Sequence, residues 1–218
     1  WVSDTFLKQF QFPPLSNFVD TRRGLQTGNA EEFIRNWYET NVQKVELYLT
    51  KEARNSEKKW ILFNSGGSFR RWYGNILNIV NWEKDGLEIK SSGKAIIPSE
   101  ERYFDEVASW NKISSGQMSV RYQPCGIIPG DASPFLHSAK NDHEMLIFSM
   151  VILNSKIVAE IVKILSPTLN FEVGNIAEIP LITDENIKSS SVVLAENNIA
   201  LSKSDWDSFE VSWDFKRH

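Results

Sequence analysis

Apolar residues follow two regimes along the chain. Up to about residue 140 they come in short runs broken by Gly, Asn and Pro; beyond that point they recur at spacings of three and four. The first regime predicts strands at 17–20, 45–49, 60–63, 76–80, 86–89, 94–97, 107–110 and 118–122. Trp60-Ile61-Leu62-Phe63, halted by Ser65-Gly66-Gly67, reads as a buried strand ending in a turn. Residues 29–39 carry both signals. Asn29 with Glu32 resembles a helix cap, while Phe33, Arg35, Trp37 and Glu39 alternate with Ile34, Asn36 and Tyr38 as a strand would.

The second regime predicts one long helix over 142–165. Leu146, Met150, Leu153, Ile157, Ile161 and Ile164 form a stripe, Asn141 or Asp142 caps the start, and Ser166-Pro167 stops the end. A second apolar row (Phe148, Val151, Ile152, Val158, Val162, Leu165) makes this helix buried on more than one side. Another helix is expected within 184–201, ahead of the aromatic tail Trp206, Phe209, Trp213 and Phe215. The reading is an α+β chain. A β-rich domain occupies 1–140, and a long buried helix with a small helical, acidic portion occupies 141–218, packing on that domain or on the rest of a longer polypeptide.

With 218 residues, 41% of them hydrophobic, the chain can bury a full core and is not a disordered segment. A net charge of −4 excludes a generally basic, nucleic-acid-coating protein. The charge is uneven, however. Residues 44–94 carry 10 basic and 6 acidic groups, residues 141–218 carry 6 and 12, and two surfaces with different partners follow. Cys125, the one cysteine, cannot form an internal disulfide, which fits a reducing cytoplasm. The start, Trp1-Val2-Ser3-Asp4, is not a signal peptide. The apolar stretch 145–155 falls short of the ~20 residues a membrane span needs. The chain reads as a piece of a longer polypeptide.

Catalytic signatures are missing. There is no Gly-x-Gly-x-x-Gly and no Gly-Lys-Ser/Thr phosphate loop. His137, His143, His218 and Cys125 lack metal-ligand spacing; His137 and His143 read as an incidental surface pair, and Cys125 as a small buried residue. Glu57-Lys58-Lys59, the nearest approach to a nuclease cluster, reads as a solvated charge run. Two loops stand out instead. One is Thr21-Arg22-Arg23-Gly24-Leu25-Gln26-Thr27-Gly28-Asn29. The other runs from Asn64 through Ser65, Gly66, Gly67, Ser68, Phe69, Arg70, Arg71, Trp72, Tyr73 and Gly74 to Asn75. Guanidinium groups bind phosphates or guanine edges, and Asn or Gln binds adenine edges. On residue types alone both loops also fit ordinary turns, the second with a solvated arginine pair and two core aromatics, Trp72 and Tyr73.

Gly24-Leu25-Gln26-Thr27-Gly28-Asn29 and the segment from Asn64 to Asn75, together with Val80-Asn81-Trp82-Glu83-Lys84-Asp85-Gly86, Val120-Arg121-Tyr122-Gln123-Pro124-Cys125-Gly126, Leu153-Asn154-Ser155-Lys156, the stretch 167–176 and Ser212-Trp213-Asp214-Phe215-Lys216-Arg217-His218, resemble a known pattern. It is that of the large adenine-specific DNA methyltransferases of bacterial BREX phage-defence systems (PglX-like), and the resemblance runs from about residue 20 to the end. The family's S-adenosylmethionine loop and its Asn/Asp-Pro-Pro-Tyr/Phe motif are both missing; Pro13-Pro14 follows Phe12. The resemblance therefore implies a target-recognition region similar to those of type I and type IIG restriction-modification proteins. S-adenosylmethionine would belong to the parent enzyme only, with no cofactor and no metal in this segment. The implied partners are double-stranded DNA, the methyltransferase core of the same polypeptide and other defence proteins, with no membrane. The candidate DNA-contacting residues are Arg22, Arg23, Gln26, Thr27, Asn29, Asn64, Ser65, Ser68, Arg70, Arg71, Tyr73, Lys84 and Arg121. A non-catalytic interaction scaffold and a type I specificity subunit are the alternatives. The second would need a repeated recognition domain, and Gly-Leu-Gln-Thr-Gly occurs once. Arg22, Arg23, Arg70 and Arg71 on one concave face would favour recognition, and their scatter would favour the scaffold.

Overall fold

The computed structural model describes residues 7–47, 49–114, 117–138, 140–165 and 170–216. Strands β1 (Asp20–Arg22), β6 (Val107–Trp110), β7 (Val120–Gln123) and β9 (Phe135–His137) form an antiparallel sheet in the order β1-β9-β6-β7. The second sheet is mixed. Its strands are β2 (Ile34–Asn36), β3 (Val45–Glu46), β4 (Trp60–Asn64), β5 (Asn78–Asn81) and β8 (Ile128–Pro129). Strand β4 is its hub, antiparallel to β5 on one side. On the other side it runs parallel to β3 along Trp60-Ile61 and to β8 along Phe63-Asn64.

The continuous apolar run of β4 follows from burial on both faces. Ile61 and Phe63 join one core with Phe33, Val80, Trp82 and Ile128. Trp60 and Leu62 point the opposite way, into a core with Val45, Ile76, Ile79 and Trp206.

Helices α1 (Ala30–Phe33), α2 (Glu83–Ser91), α3 (His143–Leu153), α4 (Lys156–Leu165), α5 (Val173–Ala177) and α6 (Glu185–Trp206) complete the fold. Leu146, Ile147, Phe148 and Met150 of α3 pack against Ala108, Trp110, Val120 and Leu136 of the first sheet, and Val192 and Ala195 of α6 join them. This core straddles the boundary expected at 140/141. The architecture is thus mixed α/β, with a sheet-bearing region and a helical C-terminal part. No single helix among the described residues is long and apolar enough to cross a membrane; only α3 and α4 together reach that composition, and they are bent by 73°.

That bend corrects the single helix expected over 142–165. Helix α3 ends at its cap residue Asn154, whose side chain serves β7. Its Nδ2 donates to the Val120 carbonyl at 2.9 Å, and its Oδ1 accepts from the Val120 N–H at 2.9 Å. Ser155 then accepts from the Val158 N–H and starts α4. The stripe breaks at this joint: Val158, Ile161 and Val162 are buried, whereas Ile157 is 65% exposed and Ile164 50%. The expected stop at Ser166-Pro167 lies outside the described residues, as does His218.

Other boundaries move as well. Residues 86–89 form part of α2 rather than a strand, because Lys84, Asp85 and Gly86 take left-handed backbone angles that turn the chain out of β5. The run 94–97 reduces to a bridge between Ile96 and Gln26, and 45–49 to β3, with Tyr48 outside the described residues. Residues 15–17 are a 3-10 turn ahead of β1. The ambiguity at 29–39 has a physical basis, since both signals are used. Asn29 caps α1, and Ile34–Asn36 then pairs with β5. Asp184 caps α6, which continues to Trp206.

Candidate nucleic-acid interface

A groove forms where the two polar loops meet the turn after β8. Gly24 lies flat on that turn, where a Cβ would come within 2.3 Å of the Pro129 carbonyl oxygen. The close approach lets the Leu25 N–H donate to Pro129 at 2.8 Å and the Asp131 N–H donate to Leu25 at 2.9 Å. Gln26 exchanges both backbone hydrogen bonds with Ile96, which fixes one wall. Gly130 donates to the Asn64 carbonyl at 2.8 Å, tying the turn to the end of β4.

The opposite wall hangs from a buried polar network. The Asn64 amide donates to Ser109 Oγ and Gln123 Oε1, and its Oδ1 accepts from the Gly66 N–H at 3.0 Å. Gly66 and Gly67 have φ of 87° and 133°, a conformation open to residues without a Cβ. Asn111 donates to the Gly67 carbonyl at 2.6 Å and accepts from Arg121 at 2.8 Å.

Two hollows result. One, of about 350 Å³, is bordered by Gln26, Gly28, Asn29 and Ile34; the other, of about 330 Å³, by Gly66, Gly67, Asn111, Lys112 and Ile113. Ser65, Asp131 and Ala132 line both, so the hollows adjoin at these residues. Arg23 Nη2 stands 2.8 Å from Asp131 Oδ1, and Lys112 Nζ 3.3 Å from Oδ2. Burial pushes the Asp131 carboxyl up, but the hydrogen bonds from Arg23 and Lys112 outweigh it and hold its pKa below the ordinary value.

The sequence-derived candidates other than Arg70 separate into three groups. Arg23, Gln26, Asn29 and Ser65 border the groove or bond into it, although Asn29 also caps α1 and Ser65 bonds Asn78. Arg22 pairs with Asp20 at 3.1 Å, and Ser68 and Lys84 are exposed. Arg71 bonds Gln117 and lies over the Phe69 ring, 5.5 Å from its centroid. The third group is internal. Asn64, Tyr73 and Arg121 are 2%, 2% and 1% exposed, so their side chains build the interior instead of offering a contact surface, whereas Thr27, 5% exposed, also lines the groove.

Arg70 is engaged with α6. It donates to the Tyr73 carbonyl at 2.8 Å, the Ser202 carbonyl at 3.1 Å and Asp205 Oδ2 at 2.6 Å, and it stacks on Trp206. Arg22, Arg23, Arg70 and Arg71 therefore each engage a different partner, and their side chains do not converge on one shared group.

The histidines are not a surface pair. His137 is 2% exposed with Nε2 3.2 Å from Asp105, while His143 Nδ1 lies 2.9 Å from Glu106. Burial, with Glu106 nearby, pushes the half-buried Cys125 thiol up, away from the thiolate a nucleophile needs. Among the described residues no cluster of His, Cys, Asp and Glu could hold a metal ion. The residues missed from sequence are Asp131, Lys112 and Asn111. Their one signal was the turn punctuation Pro129-Gly130-Asp131.

Fold and groove together define a mixed α/β protein with a glycine-built polar cleft. No protein-family model matches the chain. It is 35% identical over 224 residues to the adenine-specific methyltransferase PglX of Lacticaseibacillus casei (strain Zhang), an alignment covering 99% of this chain and 18% of that protein. It is 30% identical over 221 residues to the adenine-specific methyltransferase BrxX of Escherichia coli O9:H4 (strain HS), covering 100% of this chain and 17% of that protein. The chain thus spans less than a fifth of the length of these curated relatives and is related to a segment of them.

Proposed function

We propose that the chain is the target-recognition region of a site-specific adenine-N6 DNA methyltransferase of a phage-defence system. It holds double-stranded DNA so that the catalytic core, elsewhere in the polypeptide, can flip and methylate an adenine. The observation that carries this reading is the groove. It is walled by Gln26, Asn29, Ser65 and Asn111, neutral groups of the kind that read base edges, in a chain related throughout to adenine-specific methyltransferases. The acidic C-terminal part faces away from DNA and toward the remainder of the polypeptide, and the protein is cytoplasmic. S-adenosylmethionine is bound by the core and not by this segment.

The test is duplex binding by the 218-residue chain across a salt series. Expected is weak binding whose affinity falls steeply, with a log–log slope of about −0.9 for each phosphate neutralised. No binding at high protein concentration, or a flat salt response, sinks the reading. Methyl transfer to DNA by this chain alone, with S-adenosylmethionine added, would overturn the assignment to a non-catalytic segment.

One observation favours the scaffold reading. The arginine expected to face DNA, Arg70, is spent on α6, and Ile187, Leu194 and Leu201 on that helix are 55%, 65% and 70% exposed. If no duplex binds, this reading replaces the first.

A further inference from the structure

We infer that Asp131 is the specificity-determining residue of the groove, accepting a hydrogen bond from the exocyclic amine of an adenine or cytosine. The inference rests on the reading of the chain as a DNA-recognition region and deepens it.

Three features point to a base amine rather than a phosphate. Asp131 lines both hollows, and its side chain keeps 24% of its surface exposed. That carboxylate would repel a phosphate, and the two cations in reach, Arg23 and Lys112, are already bonded to it. The other polar groups around it are neutral: Gln26, Asn29, Ser65 and Asn111.

The carboxylate also has capacity to spare. An ionised carboxyl offers about four acceptor positions. Arg23 Nε and Nη2 fill two on Oδ1, at 3.1 and 2.8 Å, and Lys112 fills one on Oδ2. The remaining position on Oδ2 suits an amine donor, which adenine and cytosine present in the major groove and guanine and thymine do not. Because both flanking cations keep the group ionised, it acts as an acceptor only. The backbone holds it in place, through the Asp131 N–H on Leu25, the Gly130 N–H on Asn64 and the Ser133 N–H on Gly130. A reader fixed in this way discriminates by geometry and does not adapt to the wrong base.

The experiment is selection from a random duplex library with the wild-type chain and with Asp131→Asn, each followed by a melting curve. The wild type is expected to enrich a sequence containing an adenine or cytosine that Asp131→Asn no longer enriches. Affinity of the variant for random DNA should hold or rise, since a repelling charge is gone. The second arm needs no variant to fold. In the enriched duplex that base is replaced by purine or 2-pyrimidinone, which lack the exocyclic amine. Wild-type binding should fall about 5- to 100-fold, and the variant should be indifferent.

The same preferred base in both proteins, or no wild-type loss on removing the amine, overturns the inference while leaving DNA recognition standing. A changed melting temperature with unchanged selectivity makes Asp131 a structural clamp and likewise overturns it. Absence of duplex binding by the wild type overturns both this inference and the reading beneath it.

Discussion

Arg121 shows how a side chain suited to a surface can end up supporting one. It is 1% exposed; burial, with repulsion from Arg70, lowers its pKa to about 10. Its hydrogen bonds run to Asn111 and to the Arg70 carbonyl, and so to the Gly67 wall of the groove. Removing a buried charge that has no acidic partner relieves its desolvation cost, which offsets the hydrogen bonds lost with it. Arg121→Met should accordingly shift the urea-derived stability by only about 1 kcal/mol, yet speed amide exchange at Gly66 and Gly67; unchanged exchange there would disconnect Arg121 from the groove. His137 acts on pH dependence. Burial, then Arg102, lowers its pKa below the ordinary value against the opposing pull of Asp105 and Asp20, with Lys51 adding to the lowering. The unfolded chain therefore takes up the proton first. Stability is complete above about pH 6.5 and declines as pH falls below it, with a slope of at most about 1.4 kcal/mol per pH unit. In His137→Gln the urea midpoint should vary less between pH 5 and 7.

At the scale of elements, the joint between α3 and α4 controls how the C-terminal part sits on the first sheet. Asn154 satisfies both backbone groups of Val120 from a buried position. Asn154→Ala should cost about 2–4 kcal/mol, because two buried groups lose their partners at once. Thermal denaturation checks this, and a loss below 1 kcal/mol would mean that the two helices do not depend on that contact. Periodicity could not reveal the break. Spacings of three and four persist through Leu153 and Ile157, and only a partner 34 positions upstream makes Asn154 a terminus. Gly86–Ile89 went unread as helix for a related reason. Its left-handed entry at Lys84 and Asp85 is disfavoured for those residue types and is imposed by the surrounding structure.

Taken whole, the two regions of different composition share their cores. Trp110, Val120 and Leu136 share a core with α3 and α6, and Trp206 packs beside Trp60 and Leu62. Residues 1–140 expressed alone would expose that apolar surface, so they should give a proteolysis-prone species without the dispersed methyl NMR signals of the full chain. A well-dispersed spectrum from that truncation would establish an independent N-terminal domain. Within the basic section 44–94, Arg70 shows that a basic residue can serve the interior, through its bonds to Ser202 and Asp205 of α6.

The sequence by itself determined what depends on near neighbours. The doubly buried β4, the caps at Asn29 and Asp184, the two glycine loops and the resemblance to adenine-specific methyltransferases were all readable in it, because local spacing, propensity and residue type express them. Only the tertiary structure decided which side chains are free. Tyr73 and Arg121 lie inside, Arg70 braces a helix more than 130 residues away, and Asp131 stands between two hollows. Exposure and long-range pairing are set by packing across the whole chain, and no local pattern encodes them.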